Sequence, residues 1–424
     1  MVLKINREEV KTKDINQTIS SFIKKFKGHA KYQDTIKYVE EKNKQFKRFT
    51  AAGKSRNSKI NQLIILRKWN SYTPILPTIT DPSKKLLIKG GGYFLNYQNY
   101  GIVIDPGYNF IENFLNANCK IDDIDAIIIT HAHDDHTAQL ESLFSLLYKR
   151  NKNKRTSFKK IDLYLNLGSF KKFSGYFDLS NPKKNYYVNK ILILNKHHLF
   201  SLNDDIDVFT TNVKHHEMIT NKYAIGLTFI LRATDKSNKP TVIKFTSDTG
   251  WSSLIEEENR KIAEVNLKRE DINNVDILVS HIGSIKLQEM NYNTSKSLFE
   301  NEKRKNILYK YHLGLIGTVA SINFWKPKIT LISEFGQELD AIRLFVAELL
   351  SDELNTPVLS VDLNFRINLD SYEIRCYKDK KFYNIKEVKC DRKKDSSIVY
   401  FNESKFTLIE RTELKSTIDE ISLW

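Results

Sequence analysis

The segment THAHDDH at residues 130–136 constrains the fold of this chain more than any other feature. It directly follows the apolar run 125–129, which is typical of a buried strand. Neutral imidazoles and carboxylates bind zinc and related divalent ions, so the segment predicts a metal site at the end of a strand. A polar loop of hydrogen-bonded histidines is the alternative. Three of the ten histidines lie within six residues here, and this concentration favours metal binding.

The spacing within this segment indicates which side chains share an ion. Because alternate side chains of a strand lie on the same face, His131 and His133 are expected to bind one ion together. Asp135 and His136 follow the strand end and are placed to bind a second ion about 3.5–4 Å away. Asp134 is expected to point away from the ions.

Composition is that of a globular protein. The chain has 424 residues, 41% hydrophobic and 11% aromatic, which is enough for two or three domains. No apolar run approaches the ~20 residues that span a bilayer, and the N-terminus lacks the apolar core of a signal peptide. The three cysteines are too few for a disulfide framework. We therefore expect a soluble cytoplasmic protein without a membrane partner.

The formal net charge of +16 is the second informative feature. An excess of lysine and arginine favours polyanionic partners, such as RNA, DNA or nucleotides, through counterion release. Basic runs occur at 24–27, 149–160 and 378–381, although a biased genome composition or a solvated surface would also explain them. A homodimer is compatible with the sequence, which does not determine the oligomeric state.

Hydrophobic periodicity divides the chain into three regions. Residues 1–58 are predicted to be a Lys-rich helical N-terminal extension. Residues 59–345 show short apolar runs separated by turn signals, with amphipathic helices between them, and are predicted to form the main domain. Residues 346–424 are predicted to form the end of a helix and a small β-rich appendage.

Later positions at predicted strand ends carry further ligand chemistry. Asp248, inside a tight turn, has two oxygens that can bridge two ions, and His216 and His312 would each complete one site. The sequence alone does not decide between His215 and His216. His281 ends another apolar strand. Simpler explanations are a turn or helix-cap role for Asp248, a helix-terminus contact for His312, and a buried hydrogen-bonded role for His281.

This ordered set of residues resembles the metallo-β-lactamase superfamily. The matching features are the HxHxDH motif after a strand, the upstream segment IDPG at 104–107 and the downstream ligands, over about residues 60–340. The resemblance implies an α/β (α+β) fold, in which an αββα sandwich of two mixed sheets carries helices outside and a metal site at one edge. It implies two divalent ions, zinc first, with manganese or iron as alternatives. The implied ligands are His131, His133 and His216 for one ion, Asp135, His136 and His312 for the other, and Asp248 as the bridge.

Spacing separates branches of the superfamily. None of the cysteines lies in a ligand motif, which argues against β-lactam hydrolases with a cysteine ligand. Only 63 residues separate Asp248 from His312, too few for the inserted domain of β-CASP nucleases and more like tRNase Z and cyclic-nucleotide phosphodiesterases. Around His281 the chain reads SHIGS rather than a HEAT-like motif, which argues against genuine tRNA 3′-end processing.

The chain is therefore predicted to be a metal-dependent phosphodiesterase or nuclease. The mechanism expected is in-line attack on phosphorus by a metal-bound hydroxide. Asp135 would orient the nucleophile or accept its proton, and His281 is hypothesised to donate a proton to the leaving oxygen. Two alternatives stay open: a thioester or lactone hydrolase of the same fold, and a non-catalytic binding or regulatory module.

Overall fold

The computed structural model describes most of the chain between residues 12 and 401. The described ranges are 12–68, 90–152, 158–178, 187–217, 224–232, 239–251, 274–296, 300, 307–336, 339, 342–378, 381–385, 388–389 and 400–401. The chain divides into two compact units between Ala51 and Ala52.

The first unit contains two helices, α1 (Thr12–Lys27) and α2 (Tyr32–Phe49). On α1, apolar side chains recur at the three- and four-residue spacing of one helix face, as at Ile19, Ile23 and Phe26. The basic run 24–27 forms the last turn of α1, where positive charge favours the carbonyl end of a helix. Residues 12–27 and 32–49 of the predicted N-terminal extension are therefore helical, whereas residues 52–58 belong to the second unit.

The second unit is built on two sheets. The strands of the first sheet are β1 (Gln62–Ile65), β2 (Tyr93–Tyr97), β3 (Tyr100–Ile104), β4 (Ala126–Ile129), β5 (Ile161–Asn166), β6 (Val188–Leu194), β14 (Arg366–Asn368), β15 (Ile374–Lys378) and β16 (Lys381–Ile385). The strands of the second sheet are β7 (Leu199–Asn203), β8 (Ile206–Asn212), β9 (Ile225–Leu231), β10 (Thr241–Phe245), β11 (Ile277–Gly283), β12 (Ile329–Phe335) and β13 (Val358–Ser360). Among the described residues, the strand order is β16-β15-β14-β1-β2-β3-β4-β5-β6 in the first sheet and β13-β12-β11-β10-β9-β8-β7 in the second. A separate pair joins β17 (Val388–Lys389) to β18 (Tyr400–Phe401).

Helices connect and cover these sheets. They are α3 (Phe110–Asn116), α4 (Asp134–Thr137), α5 (Leu140–Lys152), α6 (Leu167–Asp178), α7 (Gly314–Trp325) and α8 (Arg343–Leu354). Helix α6 contacts β5 of the first sheet, whereas α7 contacts β11 and α8 contacts β13 of the second. The basic run 149–160 is divided: its start belongs to α5, and residues 153–157 lie outside the described part.

The alternation of side chains along the strands creates two apolar layers. In β11, Ile277 and Val279 join the core between the sheets, where Leu63 of β1 and Phe245 of β10 also lie. Leu278, on the opposite face of β11, joins a second core with the helices outside. Helices therefore cover sheets that pack face to face, which confirms the predicted α/β class and αββα sandwich.

The strands between residues 358 and 385 extend both main sheets, whereas β17 and β18 form a separate pair. β14 pairs antiparallel with β1, and β13 pairs parallel with β12. Buried Ile367 and Ile374 belong to the main core between the sheets. The appendage expected for 346–424 is therefore not seen as a separate unit where this region is described, and residues 390–399 and 402–424 lie outside the described part.

Strand direction places the polar residues at one edge of the sandwich. β3 and β4 are parallel, as are β10, β11 and β12, so within each set the carboxyl ends lie together. At this edge the Ile225 N–H donates to the Thr130 carbonyl at 3.0 Å, which joins the second sheet to the segment after β4. No helix among the described residues is long and apolar enough to cross a membrane.

Candidate metal centre

The segment after β4 is held in place by Asp105, which directly follows β3. Its carboxylate accepts hydrogen bonds from the Thr130 N–H (2.7 Å) and the Thr130 hydroxyl (2.6 Å). A third contact, 2.9 Å long, joins Asp105 Oδ2 to His136 Nδ1. A carboxylate on one ring nitrogen orients the other nitrogen of a ligating histidine. Asp105 therefore turns His136 Nε2 towards the cluster. In the sequence, the IDPG segment that contains Asp105 pointed only to the family resemblance.

Three histidines bring their ligand atoms close together. The ligand atoms of His131, His133 and His215 lie within 4.8 Å of one another. His133 Nδ1 lies 3.1 Å from His215 Nε2, and His215 Nδ1 contacts the Tyr311 carbonyl at 3.2 Å. His131 Nε2 is buried and has no hydrogen-bond partner among the described residues. Such an orphaned nitrogen between two other imidazoles fits a metal ion, because an ion would use its lone pair.

The sequence-predicted ligand His216 lies outside this group. Its side chain is exposed, and its ring packs against Tyr311 with centroids 4.6 Å apart. The adjacent His215 is 8% exposed and takes the position that His216 was expected to hold. The expectation for His216 is corrected because the contact with the Tyr311 carbonyl turns His215 inward, which leaves its neighbour facing outward.

Asp248 is the centre of the cluster, as predicted for a bridging residue. Its carboxylate follows β10 and lies 3.2–3.9 Å from ring nitrogens of His131, His136, His215, His281 and His312. Burial raises the pKa of Asp248, but the surrounding imidazoles, His312 and His136 above all, hold the pKa well below its ordinary value. His312 Nδ1 is a second buried nitrogen without a hydrogen-bond partner in the described part of the chain.

Two histidines of the three-residue group, His131 and His215, are held neutral. Burial, with the neighbouring His136 and His215, lowers the pKa of His131 well below its ordinary value. Burial likewise lowers the pKa of His215 to about 4, against the opposing effect of Asp248. Neutral imidazole is the form that binds metal, so these side chains are in the ligating state at neutral pH.

Asp135 and His136 lie together as predicted, but with partners that the sequence did not reveal. Asp135 Oδ2 lies 3.2 Å from His136 Nε2 and 3.5 Å from an Arg67 nitrogen. Arg67 also donates to the Asp135 carbonyl at 2.5 Å and pairs with Glu334. Burial raises the pKa of Asp135, yet His136 and Arg67 lower it to about 2.

The ligand set expected for the second ion is therefore only partly assembled. Among the described residues, His136 and His312 belong to two different groups of ligand atoms that could hold an ion. One group is His131, His136 and Asp248, and the other is His215, Asp248 and His312. Asp135 belongs to none of these groups, and Arg67 lies beside it instead. A signal for Arg67 existed, since it is a charged residue directly after an apolar strand. Nothing local pointed to Glu334 as its partner.

His281 is a buried neighbour of Asp248. Its Nδ1 lies 3.2 Å from both Asp248 Oδ1 and Glu334 Oε1, and its Nε2 lies 3.0 Å from the Tyr93 hydroxyl. Burial lowers the pKa of His281, but Glu334 and Asp248 raise it to about 9. The side chain is 1% exposed, with both nitrogens engaged, so its placement does not fit the hypothesis that it donates a proton to a leaving group.

Asp134 points away from the cluster, as expected. Its side chain is 64% exposed and pairs with Lys172 at 2.5 Å. Lys172 also donates to the Ala132 carbonyl (2.9 Å) and the Thr137 hydroxyl (2.8 Å), so it joins the loop after β4 to the middle of α6. The two adjacent aspartates thus have different roles, and only Asp135 is directed inward.

A two-sheet αββα sandwich with a histidine–aspartate cluster at one edge defines a hydrolase of the metallo-β-lactamase fold. The family model described as the beta-lactamase superfamily domain matches residues 100–331, more than half of the chain, and the chain belongs to this family. This membership confirms the resemblance, the fold and the hydrolase class predicted from the sequence. No match was found among curated proteins.

Solved structures show similarity of fold at low sequence identity. The short form of human tRNase Z is 15% identical, with a TM-score of 0.45 over 73% of this chain and 99% of that chain. Yeast PDE1 is 13% identical, with a TM-score of 0.46 over 72% of this chain and 98% of that chain. YhfI, a metallo-beta-lactamase fold protein from Bacillus subtilis, is 11% identical, with a TM-score of 0.45 over 72% and 98%, respectively.

Proposed function

We propose that this protein is a metal-dependent phosphodiesterase that acts on nucleic acid or nucleotides. The observation that carries the proposal is the convergence of imidazoles on Asp248, with two buried nitrogens, those of His131 and His312, left without hydrogen-bond partners among the described residues. The net charge of +16 supports a polyanionic substrate, because phosphodiesters carry the opposite charge.

The donor set suits zinc, with manganese or iron as alternatives. His131, His133 and His215 would hold one ion. Asp248 would hold a second together with His136 and His312, which lie in two different groups of ligand atoms around Asp248. Each imidazole nitrogen has a single lone pair, so histidines that serve the first ion are not available to the second. When bound, the ions would supply acidification of water and stabilisation of negative charge on a phosphoryl group.

The protein side chains would orient the reacting groups. Asp105 keeps His136 Nε2 directed at the cluster, and the Tyr311 carbonyl does the same for His215 Nε2. Asp135, held by Arg67, is assigned the orientation of the attacking water. His281 is assigned the positioning of Asp248 through their 3.2 Å contact.

A substrate panel tests this proposal. Purified protein would be assayed with bis-p-nitrophenyl phosphate, single-stranded RNA, cyclic nucleotides and an acyl thioester, before and after removal of metal by a chelator. We expect phosphodiester turnover that a chelator abolishes and added zinc or manganese restores. The variant H215A would lose at least about 100-fold in rate, which excludes a contaminating enzyme. Turnover of the thioester alone would contradict the proposal, and retained metal with no turnover would indicate a binding module.

A further inference from the structure

Aromatic and cationic side chains alternate at the rim of the metal centre. In one segment, Lys214 and His216 flank the inward-facing His215, and both flanking side chains are exposed. In the other, the sequence Tyr309-Lys310-Tyr311 directly precedes His312, and Lys310 is exposed. Each segment therefore carries one histidine of the cluster and presents its neighbours outward.

The rings of the two segments pack together at this rim. The Tyr311 ring lies 4.6 Å from the exposed His216 ring, at an interplanar angle of 69°. The Tyr311 ring also lies 6.2 Å from the ring of His215, at an interplanar angle of 82°. Tyr311 is partly exposed, so an exposed and a partly exposed aromatic residue lie beside a histidine of the metal cluster. Tyr309 lies 5.1 Å from His312 in the same segment.

We infer that the Tyr311 ring, against which the His216 ring packs at a steep angle, forms a stacking platform for a nucleobase, and that the substrate of this site is a nucleoside phosphodiester. The inference rests on the proposed function. Nucleic-acid grooves combine cations that follow the phosphates with aromatic rings on which bases stack. The Tyr311 ring lies 6.2 Å from the ring of His215, so a base stacked on Tyr311 would lie close to the cluster.

A purely structural role explains this arrangement less well. An aromatic side chain that only fills a core is buried, whereas His216 is exposed and Tyr311 is accessible. His216 does not serve the cluster as a ligand, since it belongs to none of the ligand groups formed by the described residues. Lys214 and Lys310 add two exposed positive charges next to the rings. An acyl substrate without phosphate or base would need neither feature.

Binding to two labelled strands would test the platform separately from turnover. Fluorescence anisotropy would compare an oligothymidylate with an abasic strand of the same length and charge. We expect the variant Y311L to weaken binding of the base-containing strand by about 10-fold, since stacking contributes on the order of 1–3 kcal/mol per base. Binding of the abasic strand would not change. Y311F, which keeps the ring, is the matched control and should bind like the wild type.

The lysines give the complementary result. K214Q and K310Q would weaken binding of both strands equally and reduce the salt dependence of binding, because these variants would remove contacts to phosphate and not to base. A length series from one to eight nucleotides would distinguish a free nucleotide from a strand as the ligand. If Y311L weakened binding of the two strands equally, or weakened binding of neither, the platform proposal would be overturned.

Turnover of two esters would separate this inference from the proposed function. Thymidine 5′-(p-nitrophenyl phosphate) and methyl p-nitrophenyl phosphate share a leaving group and differ in the base. The ratio of their kcat/KM values should fall about 10-fold in Y311L and stay constant in Y311F. If the wild type hydrolysed neither ester, the proposed function would fail, and the anisotropy results would still decide whether the platform binds a base.

Discussion

His133 Nδ1 lies 3.1 Å from His215 Nε2, although 82 positions separate the two residues in the chain. One residue further along, His216 faces outward and packs on Tyr311. We therefore expect H215A to lose the ion of the three-histidine group, with at least a 100-fold loss of zinc affinity, and H216A to keep it. Zinc titration against a chelator and elemental analysis of the dialysed proteins would measure both. Metal loss in H216A with retention in H215A would reverse the assignment.

Asp105 supports the centre without being an expected ligand. The variant D105N keeps the size of the side chain but replaces a carboxylate oxygen by an amide that cannot accept the same bonds from Thr130 and His136. We expect a 10- to 100-fold loss of metal affinity, the range found for residues that orient ligating histidines. D134N is the matched control, because Asp134 is exposed and paired with Lys172. Similar affinities in the two variants would argue against this role.

Arg67 and Glu334 form an ion pair in which both side chains are 0% exposed. Removal of one partner deprives the other buried charge of its nearest opposing charge and leaves only the longer contacts of Glu334 with His281 and of Arg67 with Asp135. R67M or E334Q should therefore lower the free energy of unfolding by up to about 3–5 kcal/mol. The double variant R67M/E334Q should recover part of this loss. Urea unfolding of metal-free protein would measure the cycle.

An exposed pair offers the comparison for this cycle. Arg232 and Asp207 form an ion pair 3.0 Å long with an arginine side chain that is 55% exposed. R232M should change the free energy of unfolding by less than about 1 kcal/mol. Additive losses from R67M and E334Q would mean that Arg67 and Glu334 do not depend on one another.

The contact between Asp122 and Arg150 predicts a pH dependence of stability. Arg150 donates two hydrogen bonds to the Asp122 carboxylate, 2.7 and 2.8 Å long. Burial raises the pKa of Asp122, but Arg150 and the Gly53 N–H outweigh it and hold the pKa below the ordinary value of 3.8. The folded state therefore binds the proton less readily than the unfolded chain. The pair stabilises the fold above about pH 4 and loses this contribution as pH falls through the lowered pKa.

The variant D122N would test this dependence. Its free energy of unfolding should be lower than that of the wild type at neutral pH, and the difference should shrink as the pH is lowered from about 5 to 3. D204N, which removes an exposed carboxylate, controls for the change in net charge. A difference that stays constant with pH would show that Asp122 is not the group that titrates.

His281 is buried and contacts Asp248, so a single variant of His281 can distinguish a positioning role from a proton-donor role. If His281 positions Asp248, H281A should lower metal affinity and recover most of its turnover when metal is saturating. If His281 were the proton donor, turnover would stay low at saturating metal, most of all for esters with poor leaving groups. Turnover measured against metal concentration for two leaving groups distinguishes these outcomes. Y93F, which loses the hydroxyl 3.0 Å from His281 Nε2, should show a weaker form of the same effect.

The site could be predicted to the extent that its signals were local. The THAHDDH segment identified His131, His133 and His136 because ligand types after an apolar strand form a pattern within seven residues. Asp248 and His312 followed from their places at the ends of predicted elements and from the family resemblance. The two-sheet fold followed in the same way from the ordered motifs.

Other residues of the site could not be predicted because their signals lie far apart. Arg67 and Glu334 are 267 positions apart, and each looks unremarkable in its own segment. The C-terminal strands showed the same limit. The sequence predicted a β-rich region within residues 346–424, but the pairing of β14 with β1 depends on hydrogen bonds between segments about 300 residues apart.

The sequence by itself determined the class of the protein, since ligand chemistry and strand periodicity are properties of short segments. Only the tertiary structure decided which of two adjacent histidines faces the cluster. A loop has no repeat that assigns alternate residues to one side, so the choice between His215 and His216 depends on the Tyr311 carbonyl and on His133, both distant in the chain. The same packing that turns His215 inward leaves His216 exposed beside Tyr311 at the rim of the site.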